Sequence, residues 1–338
     1  MSATQKAPLR AGITALGAYA PDKVLSNQDL ETFLDTNDEW ITSRTGIKRR
    51  HIAAENEFTS DLAMRSVEDL VARHGENCLD GVDMVIVATN TPDALFPATA
   101  ALVQHRFGLK AGAFDLLAAC PGWLYALSVA RAYVESGAYK KILTIGAEAL
   151  TKVIDWQDRS TAVLFGDGAG ASIVEAVPEG YGFRSFTLGA DGSGAHHLSF
   201  RGVGRCLPNG TPLTDNLYMN GREVFKFAVR VMNTATIEAI EQAGLSSQDI
   251  ALFVPHQANL RIIEAARERL GLPEERVVVT VDEYGNTSTA SIPIALKQAL
   301  DNGQVHDGDA LLLVSFGAGL TWAASVLTWG GAGHGPSA

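Results

Sequence analysis

Three side chains of this chain could together carry out thioester chemistry: Cys120, His256 and Asn286. A cysteine thiolate is a nucleophile that can accept an acyl group. An imidazole and a carboxamide can each donate a hydrogen bond to a carbonyl oxygen. Cys120 stands in Ala-Ala-Cys-Pro-Gly-Trp, His256 in Val-Pro-His-Gln-Ala-Asn and Asn286 in Tyr-Gly-Asn-Thr-Ser. As a set, these residues predict a site that transfers acyl groups.

A shift of 166 residues relates the first half of the chain to the second. It moves residues 83–90 onto 249–256, Cys120 onto Asn286, and Gly137 onto Gly303. Chance similarity is the alternative, because α/β proteins reuse the same strand, turn and helix patterns. Since one offset serves three separate elements, we predict two repeats folded face to face, which would bring distant residues into one pocket.

Cys120 follows an apolar, strand-like run and precedes a helix-like segment that begins with Pro121. Proline is favoured in the first helical turn, so we expect the thiol at a helix N-terminus. The partial positive charge of the helix there would favour the thiolate. A buried structural cysteine is the alternative, equally supported by sequence position alone. The register with Asn286 and the presence of His256 favour catalysis.

His256 is expected at the end of a strand, and Asn286 in the turn before a helix that starts near Ala290. A strand-end histidine is more often a hydrogen-bonded structural residue, and Tyr-Gly-Asn-Thr could be only a turn. The catalytic interpretation therefore requires that the three side chains converge.

The composition is that of a globular protein, with 338 residues, 46% hydrophobic and 19% charged. That length suits two domains or one large duplicated domain. A net charge of −11 disfavours nucleic acid as a partner, because phosphates require clustered cations. No apolar run reaches the ~18 residues that a membrane span requires. The N-terminus lacks a signal-like apolar region, so we expect a cytoplasmic location.

The cysteine pattern argues against a metal site. Cys78, Cys120 and Cys206 have none of the paired spacings that build zinc sites. In a chain expected in the cytoplasm, such cysteines are reduced by default, which would keep the Cys120 thiol available.

Strand-like segments alternate with helix-like segments, which is typical of an α/β protein. Strands are predicted at residues 84–88, 142–145, 253–255, 277–281 and 311–315. Helices are predicted at residues 124–136, 225–243, 260–270 and 292–301, followed by Gly137, Gly244, Gly271 and Gly303. Glycine suits the left-handed position that closes a helix. Residues 188–220, rich in Gly, Pro, Asn and Asp, predict an irregular connection between the repeats.

Over nearly its full length the chain resembles β-ketoacyl-acyl-carrier-protein synthase III, a condensing enzyme of the thiolase superfamily. The resemblance rests on four motifs in the family's order, at residues 38–47, 165–170, 254–262 and 285–288. It implies the thiolase-like five-layered αβαβα fold of two βαβαβαββ halves, assembled as a homodimer. We assign residues 1–180 to the half with the nucleophile and 181–338 to the half with the histidine and asparagine.

The resemblance makes Cys120 the acyl acceptor, with His256 and Asn286 activating the malonyl donor. An acyl-CoA would load Cys120, and malonyl-acyl carrier protein would lose carbon dioxide and give an enolate that attacks the thioester. Backbone amides of Cys120 and Ala318 would hold the tetrahedral oxyanion. The implied reaction is the decarboxylative condensation that starts fatty acid biosynthesis, with no cofactor because acyl-CoA is a substrate.

The resemblance also implies which residues contact coenzyme A and the acyl group. Thr36, Trp40, Arg44 and Arg159 match positions around the adenine, although Trp40 and Arg44 alone predict only a pair along a helix surface. The remaining matches are Phe225 and Asn259 in the pantetheine tunnel, Phe316 beside the nucleophile, and Phe96, which reaches into the partner subunit's acyl pocket. Gly166–Gly170 lacks the lysine of a phosphate loop and is interpreted as structural.

An acidic carrier protein would need a basic docking patch on this acidic chain. Candidates are Lys226 and Arg230 on one predicted helix with Arg261 and Arg269 on another. Scattered, solvated cations are the alternative.

Two positions depart from the family: Pro121 replaces a small residue, and Phe316-Gly-Ala-Gly319 replaces Phe-Gly-Gly-Gly. A secondary-metabolism acyltransferase or polyketide-priming ketosynthase, a Cys-His hydrolase and a silent subunit are the rival functions.

Overall fold

The computed structural model describes residues 9–330. Its strands are β1 Arg10–Tyr19, β2 Val24–Ser26, β3 Arg49–His51, β4 Met84–Ala88, β5 Gly112–Leu116, β6 Lys141–Glu148, β7 Gly168–Val177, β8 Gly182–Ala190, β9 Leu198–Ser199, β10 Tyr218–Met219, β11 Leu252–Pro255, β12 Ala310–Gly317 and β13 Thr321–Thr328. Its α-helices are α1 Asn27–Glu31, α2 Asp38–Thr45, α3 Thr59–His74, α4 Thr99–Arg106, α5 Gly122–Glu135, α6 Arg159–Ala162, α7 Gly221–Gln242, α8 Leu260–Leu270, α9 Val281–Tyr284 and α10 Ser291–Asp301.

Two mixed sheets form the framework. The first has the order β1-β7-β6-β4-β5, in which β4 runs parallel to both β5 and β6. The second has the order β11-β12-β13-β8, in which β11 and β12 are parallel. All strands of the first sheet precede residue 178, and all strands of the second lie between residues 182 and 328. This division is compatible with halves at 1–180 and 181–338, whose equivalence stays a prediction.

The alternation of side chains along the strands shows which helices cover each face of the sheets. Along β4, Ile86 packs with α5 and α10, while Val85 and Val87 pack with α3 and α4 on the other face. Strand side chains point alternately to the two faces, so a sheet buried on both faces needs apolar residues throughout. The second sheet covers α5 and α10 with one face and packs against α7 and α8 with the other. The layers are therefore helices, sheet, helices, sheet and helices, which confirms the five-layered αβαβα fold.

Most predicted elements agree with the structure within a few residues. The strands expected at 84–88, 142–145, 253–255 and 311–315 are β4 or lie within β6, β11 and β12. The expected helices are α5, α7, α8 and α10. All four glycines that were expected to close them have positive φ, between 65° and 74°. The segment 188–220 is mostly irregular beyond the end of β8, where its β pairing among the described residues consists of the short strands β9 and β10 and an isolated bridge between Cys206 and Pro212.

The strand predicted at 277–281 is wrong. Only an isolated bridge joins Val277 to Phe253, and α9 begins at Val281. The Gln257 side chain explains the difference: it donates to the Val278 carbonyl and accepts from the Thr280 and Val281 amides. Backbone groups that a neighbouring strand would satisfy are therefore satisfied by one buried carboxamide.

No helix within residues 9–330 combines the length and the apolar character needed to cross a bilayer.

Candidate active site

Cys120, His256 and Asn286 line one cavity of about 530 Å³. Cys120 lies in the turn between β5 and α5, two residues before the first residue of α5. Asn286 lies before α10, and His256 follows the last residue of β11. The sites of α/β proteins commonly form where strands end and helices begin. The structure therefore brings together the three residues that the sequence singled out.

The turn that presents Cys120 contains a rare backbone conformation. Ala119 has φ 55°, in the left-handed region that costs an L-residue roughly 1–2 kcal/mol. The Ala119 carbonyl accepts from the Gly122 amide at 2.8 Å, which closes the turn. Strained residues held by their surroundings are found disproportionately at functional sites.

The predicted preference for the Cys120 thiolate does not hold. Burial raises the pKa of the Cys120 thiol to about 12, and the nearby Glu148 carboxylate acts in the same direction. The nearby Ser288 hydroxyl opposes this rise in pKa without reversing it. Desolvation outweighs a helix terminus because it acts on the full charge of the thiolate. The resting nucleophile is therefore a thiol, which must lose its proton when it reacts.

His256 is 1% exposed, and burial lowers its pKa to about 3, so the imidazole is neutral near neutral pH. Its Nδ1 lies 2.6 Å from Ser291 Oγ, which also accepts from the Gln257 amide at 3.4 Å. With the Ser291 hydroxyl taken as the donor to Nδ1, the ring proton lies on Nε2. Nε2 has no hydrogen-bond partner among residues 9–330. His256 thus presents a neutral N–H donor.

Asn286 is oriented in a comparable way. Its Oδ1 accepts from the Ser288 amide at 2.9 Å, which leaves Nδ2 as the donor on the carboxamide. Its backbone is fixed on both sides, since its amide donates to the Leu164 carbonyl and its carbonyl accepts from Gly166. The site therefore holds two uncharged side-chain donors.

The end of β12 lies directly against the nucleophile. A Cβ on Gly317 would lie 2.6 Å from the Cys120 amide nitrogen, so only glycine permits this approach. Phe316 is 3% exposed and meets the His256 ring edge-to-face, with 5.4 Å between centroids. Ala318 begins the 3₁₀ turn that follows β12. No backbone carbonyl among residues 9–330 accepts from the Cys120 amide.

Glu148 is a buried carboxyl group that sequence analysis missed. It is fully buried at the end of β6, and desolvation raises its pKa to about 7. Its Oε2 accepts from the Asn90 amide at 3.1 Å and from Thr91 Oγ1 at 2.9 Å. Its Oε1 accepts from Ser288 Oγ at 3.1 Å and from Thr289 Oγ1 at 3.2 Å. Sequence analysis could have found Glu148 because it is a polar residue at the end of the apolar strand β6.

The residues expected near the adenine are brought together at the surface. Arg44 lies over the Trp40 ring at 5.4 Å, along the surface of α2 as the spacing alone predicts. Arg159 lies over the same ring at 4.8 Å and donates to the Asp35 carbonyl. Thr36 Oγ1 is buried without a partner among residues 9–330. Trp40 and Arg44 line the cavity that contains Cys120.

Phe225 and Asn259 also line this cavity. Asn259 caps α8 through Oδ1 and donates from Nδ2 to the Arg44 carbonyl at 3.0 Å, which ties α8 to α2. Arg261 lies over the Phe225 ring at 5.4 Å. Arg222, which sequence analysis missed, joins the lining one turn before Lys226 on α7. Sequence analysis could have found Arg222 from its position four residues before Lys226.

The predicted basic patch is partly assembled. Lys226 and Arg261 line the cavity from α7 and α8, although Lys226 also pairs with Glu223 at 2.7 Å. Arg230 lies one turn further along α7, against Phe227. Arg269 is exposed on α8 and does not line the cavity.

Phe96 lies away from this cavity. Its side chain is 84% exposed on the loop between β4 and α4. Asp115 of β5 accepts from the Thr99 and Ala100 amides, which fixes this loop beside the edge strand of the first sheet.

Within residues 9–330, no group of three or more His, Cys, Asp or Glu side chains is arranged to hold a metal ion.

Two family models match this chain. The model described as 3-oxoacyl-[acyl-carrier-protein (ACP)] synthase III matches residues 114–192, and the model of the C-terminal part of that enzyme matches residues 240–329. The β-ketoacyl-[acyl-carrier-protein] synthase III of Deinococcus deserti is 50% identical over 98% of this chain and 95% of its own length. Synthase III 2 of Deinococcus radiodurans is 53% identical over 97% of each chain.

Solved structures agree with these matches. The synthase III of Thermus thermophilus superposes with a TM-score of 0.94 at 70% identity, covering 95% of this chain and 100% of that one. The priming β-ketosynthase of the R1128 polyketide biosynthetic pathway superposes with a TM-score of 0.86 at 37% identity, covering 97% of this chain and 99% of that one.

Replacing Ser291 with alanine should reduce the activity that depends on His256. The imidazole would lose the hydrogen bond that assigns its proton to Nε2, so we expect Ser291→Ala to slow malonyl decarboxylation by about tenfold. Acylation of Cys120, followed by intact mass, should stay unchanged. Ser325→Ala is the control, because Ser325 is also a buried, hydrogen-bonded serine but lies in β13. Equal decarboxylation rates in the two variants would contradict the assignment.

Proposed function

Because the chain belongs to the 3-oxoacyl-[acyl-carrier-protein] synthase III family, we propose that it condenses acyl-CoA with malonyl-acyl carrier protein at Cys120. The enzyme is an acyltransferase that makes a 3-oxoacyl-acyl carrier protein, the first condensation of fatty acid biosynthesis. Acyl-CoA is a substrate, and no cofactor takes part. The observation that supports Cys120 most strongly is its position in one cavity with two oriented, neutral donors.

In the first half-reaction, Cys120 Sγ attacks the acyl-CoA carbonyl, and coenzyme A leaves. The amide of Cys120, which donates to no backbone carbonyl among residues 9–330, and the amide of Ala318 hold the oxyanion. Gly317 supports this arrangement because its close approach sets Ala318 beside the nucleophile turn. Covalent loading divides the condensation into two easier steps.

In the second half-reaction, malonyl-acyl carrier protein loses carbon dioxide, and its thioester carbonyl becomes an enolate. His256 Nε2 and Asn286 Nδ2 donate to the enolate oxygen. Each preorganised donor of this kind is worth about 3 kcal/mol. The enolate carbon then attacks the acyl-Cys120 thioester and releases the product. Since His256 is neutral, it stabilises the enolate by hydrogen bonding and not by charge.

The mouth of the cavity suits coenzyme A and the pantetheine arm. Trp40 with Arg44 and Arg159 offers an aromatic face beside two cations, which fits an adenine nucleotide. Thr36 has a buried hydroxyl free of partners within the described residues. Phe225 and Asn259 line the passage inward, and Phe316 packs beside the catalytic imidazole.

The carrier protein docks on the helices beside this mouth. Lys226, Arg230 and Arg261 are cations of α7 and α8 near the opening, and Arg269 extends the set along α8. Local positive charge would orient an acidic carrier despite the net charge of −11.

A homodimer is proposed on the exposed apolar residues beside β5. Leu95, Phe96 and Leu117 are 72%, 84% and 75% exposed. They flank β5, an edge strand whose free hydrogen-bonding side could pair with a second copy. In such a dimer Phe96 would reach the acyl pocket of the partner.

A cytoplasmic location is proposed from the chemistry of the nucleophile. Cys120 must stay reduced to accept an acyl group, and the reducing cytoplasm maintains thiols. All three cysteines are free in the structure.

Replacing Cys120 with serine should abolish transfer of the acyl group from acyl-CoA. A serine hydroxyl is a much weaker nucleophile than a cysteine thiol near neutral pH. Intact mass spectrometry after incubation with a panel of acyl-CoA donors should detect an adduct on the wild type and none on Cys120→Ser. An adduct on the variant would contradict the assignment. Product analysis after adding malonyl-acyl carrier protein should detect 3-oxoacyl carrier, whereas free acid would indicate a hydrolase.

Replacing His256 with alanine should separate the half-reactions. Acylation of Cys120 should persist, because the donor removed acts on the malonyl substrate. Release of carbon dioxide from labelled malonyl-acyl carrier protein should fall by about 100-fold, the worth of one such donor. His105→Ala is the control, since His105 is exposed on α4. Unchanged decarboxylation in His256→Ala would refute the role.

The wild type should have twice the single-chain mass in light scattering. Phe96→Glu combined with Leu117→Glu should shift it to the mass of one chain, because charges placed in an apolar interface are strongly disfavoured. Val203→Glu is the control, as Val203 is 86% exposed on a different loop. A wild type of single-chain mass would contradict the dimer.

A further inference from the structure

Arg50 is a fully buried arginine of β3 that the proposed reaction leaves unused. Its terminal nitrogens donate to the Leu25 carbonyl at 3.2 Å, to Asn27 Oδ1 at 3.0 Å and to the Val163 carbonyl at 2.7 Å, and all three acceptors are uncharged. Burial lowers the pKa of the guanidinium to about 10, so the side chain stays charged near neutral pH. Burying a cation costs free energy, and an apolar side chain of similar length would avoid that cost.

The bond to Val163 leads directly to the backbone of Asn286. The Asn286 amide donates to the Leu164 carbonyl at 2.8 Å, and the Gly166 amide donates to the Asn286 carbonyl at 3.1 Å. An isolated parallel bridge therefore joins the two segments. The guanidinium thus fixes the residue directly before those that hold the backbone of Asn286.

The aliphatic stem of Arg50 packs against the same turn. A Cβ on Gly285 would lie 3.3 Å from Arg50 Cβ, and a Cβ on Gly166 would lie 3.2 Å from it. Gly285 directly precedes Asn286 and has φ 64°, a conformation that favours glycine. The stem therefore lies against the turn that presents Asn286, while the charged end holds the neighbouring segment.

The opposite side of the guanidinium is anchored by Asn27. This carboxamide is also fully buried, and its Nδ2 donates to Asp38 Oδ1 at 2.7 Å and to the Ile47 carbonyl at 2.8 Å. The oxygen of the carboxamide is thereby left to accept from Arg50. Since Asp38 begins α2, one line of hydrogen bonds runs from α2 to the segment beside Asn286.

We propose that Arg50 is a positioning residue that holds the Asn286 turn so that the Asn286 carboxamide faces the enolate oxygen of the malonyl substrate. This role rests on the proposed function of Asn286 as a donor in the second half-reaction. Arg50 does not line the cavity, so it acts through the backbone of the Asn286 turn. A hydrogen-bond donor stabilises a developing charge best when it is held in place before the reaction.

The Asn286 side chain needs this support because its own side-chain bond is local. Its Oδ1 accepts from the Ser288 amide, two residues later in the same turn. That bond sets the rotation of the carboxamide within the turn and cannot set where the turn lies relative to Cys120. Glu148 supports the turn after Asn286 through the Ser288 hydroxyl, whereas Arg50 supports the residues before and beside it.

The test measures release of carbon dioxide from labelled malonyl-acyl carrier protein in the wild type, Arg50→Met and Arg50→Lys. Arg50→Met keeps the stem and removes the donors, so we expect kcat to fall by about tenfold to 100-fold, the usual cost of misplacing a group by up to ~1 Å. The KM for the carrier substrate should stay unchanged. Arg50→Lys should give an intermediate loss, because one ammonium replaces a planar fork of donors.

Acylation of Cys120, measured at saturating acyl-CoA, should stay close to the wild-type rate in both variants, because Asn286 acts on the malonyl substrate. Arg276→Met is the matched control. Arg276 is a half-buried arginine that also donates to backbone carbonyls, those of Gln248 and Ile250 before β11. It should keep both the acylation rate and the decarboxylation rate of the wild type.

A double substitution separates positioning from a general loss of stability. Asn286→Ala alone should lower decarboxylation by about 100-fold. Arg50→Met added to it should cause little further loss, because the group that Arg50 positions is gone. A merely structural role would instead lower decarboxylation by the same factor with and without Asn286.

That equal factor overturns the proposal. A wild-type rate of decarboxylation in Arg50→Met overturns it as well, and so does a fall in acylation as large as the fall in decarboxylation. If Arg50→Met fails to fold, the same comparisons are made with Arg50→Lys, and a wild-type rate of decarboxylation there overturns the proposal. A wild type that releases no carbon dioxide, or an Asn286→Ala variant that releases it at the wild-type rate, would instead refute the proposed function of Asn286, and this inference with it.

Discussion

The active site depends on the hydrogen bonds that the buried carboxyl group of Glu148 accepts. One carboxyl group at the end of β6 accepts from the loop after β4 and from the turn that precedes α10. Hydrogen bonds to charged groups contribute about 1.5–3 kcal/mol each, more than neutral ones. They are needed because both segments carry polar backbone into a region that the two sheets and central helices otherwise fill with apolar side chains. The same contacts fix the turn whose Ser288 amide donates to Asn286 Oδ1, so the orientation of the Asn286 carboxamide depends on this buried acid.

Burial sets the chemical character of every group in the site. It keeps His256 neutral and Cys120 protonated near neutral pH, and it raises the pKa of the Glu148 carboxyl group to about 7. A neutral imidazole and a carboxamide suit an enolate, because they stabilise the developing charge without a counter-charge that would also bind the ground state. The same burial makes the thiol a poor nucleophile until its proton has an acceptor.

Much of the fold could be predicted because its determinants are local. The continuous apolar run at β4 and the helical periodicity of α8, closed by Gly271, specify these elements within their own segments. The strand predicted at Val277–Val281 is wrong for the opposite reason. The segment has the composition of a strand, but the Gln257 side chain makes the backbone hydrogen bonds that a neighbouring strand would make. Local pattern cannot reveal a competitor that lies more than twenty residues away.

The sequence by itself indicated which side chains could perform the chemistry, since Cys120, His256 and Asn286 are reactive or hydrogen-bonding groups at predicted strand-end and turn positions. Tertiary structure decided how those groups behave. The helix terminus at Cys120 was correctly placed, yet the pKa of the thiol rises, because desolvation depends on everything packed around the sulfur. Ser291, Ser288 and Glu148 make their contacts across 35 and 140 residues of chain, which orient the imidazole and join the Glu148 carboxyl group to the turn before α10. Residue type fixes intrinsic reactivity, whereas solvation and hydrogen-bond direction exist only once the chain has folded.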